Sequence, residues 1–106
     1  MQTAVAYAIA AFCEIAGCYA FWSVVRLDRS PIWLAAGIVC LLVFAYSLTF
    51  VGSASAGRAF AAYGGLYIAA SLAWLWLVEG KLPDRWDLIG GVVCLTGAAI
   101  VIAGPR

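Results

Sequence analysis

The chain has 106 residues, of which 67% are apolar and 10% charged, with a formal net charge of +1 and a mean hydropathy of +1.06. A soluble domain is about 45–50% apolar and about 25% charged, and a chain this short has too little interior to hide the surplus. The same figures exclude a disordered chain, and a near-neutral charge without a basic tract leaves no electrostatic footprint for nucleic acid; a membrane protein remains.

A spanning helix needs about 20 mostly apolar residues, and continuous rather than alternating apolar runs favour helices over a β-barrel. The first predicted helix covers residues 3–25 and is interrupted only by Glu14. Its Ile15-Ala16-Gly17-Cys18 segment superficially resembles a lipoprotein cleavage site. No Lys or Arg precedes it, however, and Glu14 breaks the apolar run such signals need, so the helix is read as retained. Arg26-Leu27-Asp28-Arg29-Ser30-Pro31 ends it, and Pro31 suits the first turn of a second helix over 32–50. A small-residue loop, Gly52 to Gly57, leads to a third helix over 59–78. Glu79-Gly80-Lys81-Leu82-Pro83 then reads as a glycine-capped helix end followed by a proline that cannot continue it. The fourth helix covers 88–103, with Asp84 or Asp87 as its N-cap. Trp22, Trp33, Trp74, Trp76 and Trp86 fall near the expected membrane interfaces. The expectation is an all-α membrane protein, one domain of four transmembrane helices over residues 1–106. The connections after helices one and three carry Arg26, Arg29, Lys81 and Arg85, against Arg58 and Arg106 on the other side. The positive-inside rule therefore leans weakly towards termini outside, a bias small enough to be compatible with insertion in both orientations.

Of the charged residues, Glu14 alone lies inside an apolar span. A carboxylate there costs about 2.5–3.5 kcal/mol on insertion scales and is a functional-site candidate by default. Low dielectric disfavours its charged form, so the group suits exchange of a proton for a cation. Steps of three and four place Tyr7, Ala10, Ala11, Gly17, Cys18 and Phe21 on its face. The small residues beside the acid leave space for a ligand or a second helix, and the aromatic residues are candidates to line a cavity. The bland alternative is a protonated acid acting as packing glue between helices.

In the third helix Phe60, Tyr63, Tyr67, Ser71 and Trp74 follow helical spacing, with Gly64 and Gly65 between the tyrosines. Aromatic faces attract organic cations, and the glycines allow close approach or bending; an aromatic stripe facing lipid is the alternative. In the fourth helix Gly90, Cys94 and Gly97/Ala98 form a small-residue ridge suited to packing, within the chain or across a dimer. Cys13, Cys18, Cys40 and Cys94 have neither CxxC spacing nor His partners and read as small apolar fillers. Neither a metal site nor a cofactor is expected. No phosphate loop, triad or nucleophile motif occurs, so the chain does not read as an enzyme.

Cys13-Glu14-Ile15-Ala16-Gly17-Cys18, Ala61-Ala62-Tyr63-Gly64-Gly65-Leu66-Tyr67-Ile68 and the seven-residue spacing of Gly90 and Gly97 resemble the corresponding segments of small multidrug resistance transporters. Glu14 to Tyr19, Ala56-Gly57-Arg58 with Ala61 to Gly65, Arg85-Trp86-Asp87-Leu88 and Gly104-Pro105-Arg106 resemble, over nearly the whole chain, the YnfA family of small inner-membrane proteins. The first resemblance implies four helices, an antiparallel homodimer and alternating access in the bacterial inner membrane, with Glu14 binding either a proton or a cationic small molecule. It puts Tyr63 where that family usually has Trp, and Cys40 where it has a tyrosine. The resulting expectation is a proton-coupled exporter of hydrophobic or guanidinium-type cations. Tyr7, Gly17, Cys18, Tyr63, Gly64, Gly65, Tyr67 and Ser71 would line its cavity, and Gly90, Cys94 and Gly97 would pack the dimer. A non-transporting subunit that stabilises a partner membrane protein, or a small ion channel, are the rivals.

Overall fold

The apolar runs and their stop signals become four helices. The computed structural model describes residues 2–53 and 55–106, and within it α1 runs Thr3–Arg26, α2 Trp33–Ser47, α3 Ala56–Leu77 and α4 Arg85–Ala103, with a 3-10 turn at Leu48–Phe50. No strand occurs among the described residues. With the 3-10 turn counted into the second, the four spans measure 24, 18, 22 and 19 residues, each long and apolar enough to cross a bilayer. The protein is a multi-pass membrane protein.

The boundaries differ from the expected ones for local reasons. Helix α4 starts three residues early because Asp84 and Asp87 cap it together. The Asp87 N–H donates to Asp84 Oδ1 at 2.9 Å, and the Asp84 N–H donates to Asp87 Oδ2 at 3.0 Å. This reciprocal capping box satisfies two amides that would otherwise lack partners. Helix α3 likewise takes in Ala56-Gly57-Arg58, which an apolar run does not reveal. Helix α2 tightens at its end, where Ser47 Oγ donates to the Val43 carbonyl at 2.8 Å and Thr49 Oγ1 to the Tyr46 carbonyl at 2.6 Å. Hydroxyls bonding back to the preceding turn compete with the regular ladder in this way. In the loop before α3, Ser53 Oγ donates to the Ser55 carbonyl, and Ala54 lies outside the described residues.

The chain packs as two compact units, residues 1–51 and 52–106. In the first, α1 and α2 form a hairpin. Asp28 closes α1 with φ of 55°, and the N–H groups of Leu27 and Arg29 both donate to the Ser23 carbonyl at 3.1 Å. The helices meet at two glycines. A Cβ on Gly17 would stand 3.0 Å from the Gly37 carbonyl oxygen and 2.9 Å from Leu41 Cγ. One on Gly37 would stand 3.0 Å from the Gly17 carbonyl oxygen and 3.1 Å from Ala20 Cβ.

The second unit repeats the plan with α3 and α4. Gly80 closes α3 with φ of 75°, a conformation glycine adopts without steric cost. The Lys81 N–H donates to the Leu75 carbonyl at 3.0 Å. In both hairpins a basic residue follows the left-handed one, and a proline (Pro31, Pro83) stands three residues after it. Here the helices meet at Gly65, where a Cβ would lie 2.5 Å from Ala98 Cβ and 2.7 Å from the Cys94 carbonyl oxygen. At the far end of α4 the Arg106 guanidinium donates to the carbonyls of Val101 at 2.8 Å and Gly104 at 3.3 Å. It thereby satisfies oxygens left over by the helix end.

Burial is the inverse of a soluble protein's. The buried apolar residues are small (Ala6, Ala10, Ala11, Ala59, Ala62 and Ala98) apart from Ile15 and Tyr63, while large side chains such as Val25 (70% exposed) and Ile32 (74%) face outward. Lipid tails are as apolar as leucine, so spanning helices associate by close packing of small residues. Gly65→Ala therefore lowers the stability of the detergent-solubilised protein by about 1–3 kcal/mol, because its methyl meets backbone. Gly64→Ala, with no atom within 4 Å of the new methyl, leaves stability unchanged or raises it by up to about 1 kcal/mol. Thermal unfolding followed by circular dichroism separates the two.

Candidate functional site

Glu14 sits at the middle of α1, with eleven helical residues before it and twelve after. At 1.5 Å per residue this is about 17–18 Å from either end of the helix, more than half the thickness of a hydrocarbon core of about 30 Å. The carboxyl-bearing residue is half-buried and stands at a border. Ala10, Ala11 and Gly17 on its face are buried, whereas Cys18, one turn on, is exposed. Tyr7, two turns before it, is half-buried, and Phe21 is exposed. The space beside Gly17 is taken by helix α2, through Gly37 and Leu41. Of the two occupants the small residues allowed, the second helix fills this one.

In the second unit α3 carries Tyr63, which is buried at 6% exposure, and Tyr67, half-buried, with ring centroids 6.1 Å apart and planes tilted by 54°. Ser71, the next residue on that line, is half-buried. Its hydroxyl oxygen is shielded from solvent and has no hydrogen-bond partner among the described residues. Thr96 shows the usual alternative in a spanning helix, donating to the Val92 carbonyl at 2.8 Å. A shielded hydroxyl without a partner forfeits about 1–3 kcal/mol, a cost that a bound polar ligand would recover. Phe60 and Trp76 are exposed and Trp74 is half-buried.

The glycines divide sharply by face. Gly65 is packed on α4, while Gly64 next to it has nothing within 4 Å of where a Cβ would stand. On α4, Ala98 and Gly91 are buried; Ala98 packs at Gly65 and Gly91 on the Leu72 side chain. Gly90 and Gly97, seven residues apart, again have nothing within 4 Å. The expected ridge of Gly90, Cys94 and Gly97/Ala98 is thus two ridges offset by one residue. Cys94 borders the one that faces α3 through its backbone.

The interface positions also show their chemistry. The Arg26 guanidinium lies 4.6 Å from the Trp22 ring centre and Arg85 5.2 Å from that of Trp86, cation–π pairs that keep charge and ring together at a hairpin turn. Gly37, the partner of Gly17, was not singled out by the sequence, where it stands as an isolated glycine in an apolar run. Ser23, 2% exposed, was missed as well, since a serine near a helix end ordinarily reads as interfacial.

A family model described as "Uncharacterised BCR, YnfA/UPF0060 family" matches residues 1–106 of the chain. No solved structure matches it.

The partnerless hydroxyl gives a direct test of the α3 geometry. Ser71→Ala changes unfolding stability by less than about 0.5 kcal/mol or raises it, whereas Ser47→Ala, which loses the bond to Val43, costs about 1 kcal/mol. Thermal melts of the two variants beside the parent measure the contrast.

Proposed function

The chain belongs to the YnfA/UPF0060 family, and from that premise we propose that it is a proton-coupled exporter of hydrophobic or guanidinium-type cations, working as an antiparallel homodimer. The observation that carries the reading is Glu14, a half-buried acid at the midpoint of a spanning helix. An intramembrane acid is expensive to insert and marks proton and ion pathways. In this reading the Glu14 carboxyl binds a proton and a cation in turn, each displacing the other. Export follows when the loaded dimer exposes the site to the opposite side of the membrane.

In this reading Tyr63 and Tyr67 supply aromatic faces for an organic cation, and Ser71 supplies a hydroxyl with unspent hydrogen-bonding capacity. The second copy is supported by the glycines that nothing touches. Gly90, Gly97 and Gly64 each weaken their helix by about 1 kcal/mol relative to alanine, a cost without return unless another backbone comes close. The proposed setting is a bacterial inner membrane, with the turns that carry Arg26, Arg29, Lys81 and Arg85 in the cytoplasm. The substrate leaves chemically unchanged.

Two measurements test this. In proteoliposomes with an imposed pH gradient, Glu14→Gln reduces uptake of tetraphenylphosphonium or guanidinium to the level of protein-free vesicles. Retained proton-driven transport in that variant would overturn the reading, and current without proton coupling would favour a channel. Replacing Gly90 and Gly97 together by Leu lowers the dimer fraction in detergent, read by light scattering. An unchanged dimer would place the contact between copies elsewhere.

A further inference from the structure

The four cysteines are free thiols, spread over three helices. Two of them are brought together by the α1–α2 crossing. Gly17 meets both Gly37 and Leu41. One turn before Gly17 on α1 is Cys13; one turn after Gly37 on α2 come Cys40 and Leu41. The helices of a hairpin run in opposite directions, so a turn backwards on one and forwards on the other reach the same layer. Cys13 and Cys40 are both half-buried.

We propose that Cys13 and Cys40 form a two-coordinate thiolate site for a soft d10 cation, with mercuric ion the best matched. Thiolate sulfur selects soft metals. No group of three or more His, Cys, Asp or Glu able to hold a metal occurs among the described residues, which disfavours the tetrahedral four-ligand set that structural zinc requires. Linear coordination by two sulfurs is complete for a mercuric ion. Binding of mercuric chloride breaks two S–H and two Hg–Cl bonds, forms two Hg–S bonds and releases two protons and two chloride ions, with no change of oxidation state. The product is neutral, whereas the silver or cuprous complex of the same pair carries a negative charge that the apolar surroundings penalise. The site needs neither transport nor a second copy, so it stands apart from the exporter reading.

The experiment uses the full chain with Cys18→Ser and Cys94→Ser, purified in detergent and titrated with mercuric chloride. The ultraviolet mercury–thiolate absorption saturates at one equivalent per chain, and both remaining thiols lose reactivity towards a maleimide at that point. Adding Cys13→Ser or Cys40→Ser weakens retention of mercury against 2-mercaptoethanol by about a hundredfold, the advantage of holding one ion at two linked points. Circular dichroism confirms that each variant keeps its helices, and Cys→Ala versions repeat the comparison without the added hydroxyl. Saturation at two equivalents, or equal retention in the single-thiol and two-thiol proteins, would overturn the proposal.

Discussion

Close approach of helix backbones is the constraint on which the rest of this structure depends. In a bilayer the solvent competes for apolar side chains as well as the protein does, so large residues gain little by facing inward. The chain accordingly buries alanines and glycines and turns its large aliphatic side chains outward. Each hairpin is held where nothing larger than hydrogen fits, at Gly17 with Gly37 and at Gly65 with Ala98 and the Cys94 carbonyl. Contacts this short also fix register. Glu14 stands one turn before Gly17 on the same face of α1, so the tightest crossing in its hairpin sets which way the acid faces. On that face Gly17 is covered by α2, whereas Cys18 is exposed.

Depth is set by a second device, the turn. Both hairpins stop their first helix with a left-handed residue, Asp28 or Gly80, whose successor's N–H reaches back to the helix carbonyls. A proline three residues later ends any chance of continuation. Arginines stacked on Trp22 and Trp86 hold the turns where rings and charges are both tolerated. Glu14 stands at the midpoint of α1, with eleven helical residues before it and twelve after.

Much of this was readable in the residues, because the relevant signals are local. Hydropathy and charge placement located the four helices, Gly80 and Pro83 marked a turn, and the aspartates at 84 and 87 announced a cap that proved to use both. What was not readable depends on rotation about the helix axis. Gly64 and Gly65 are neighbours with identical chemistry, yet one is open and the other is filled by α4. The pairs Gly90/Gly97 and Gly91/Ala98 share a seven-residue spacing, and only packing separates them. Gly37 and Cys40 acquire meaning from residues of another helix. Asp28 adopts a left-handed conformation that asparagine and glycine favour more, so its type gave little warning. The candidate residues of each unit read in the same way: a lone membrane acid is conspicuous in any sequence, whereas the partnerless hydroxyl of Ser71 emerges only from coordinates.

In the proposed exchange one carboxyl trades a proton for a cation. Proton release on adding tetraphenylphosphonium to the purified protein in weakly buffered detergent tests it most directly, because it requires no assumption about vesicles or orientation. If the carboxyl exchanges the two, the parent protein releases protons in a saturable way and Glu14→Gln releases none. Absence of release from the parent, or equal release from the variant, would contradict it.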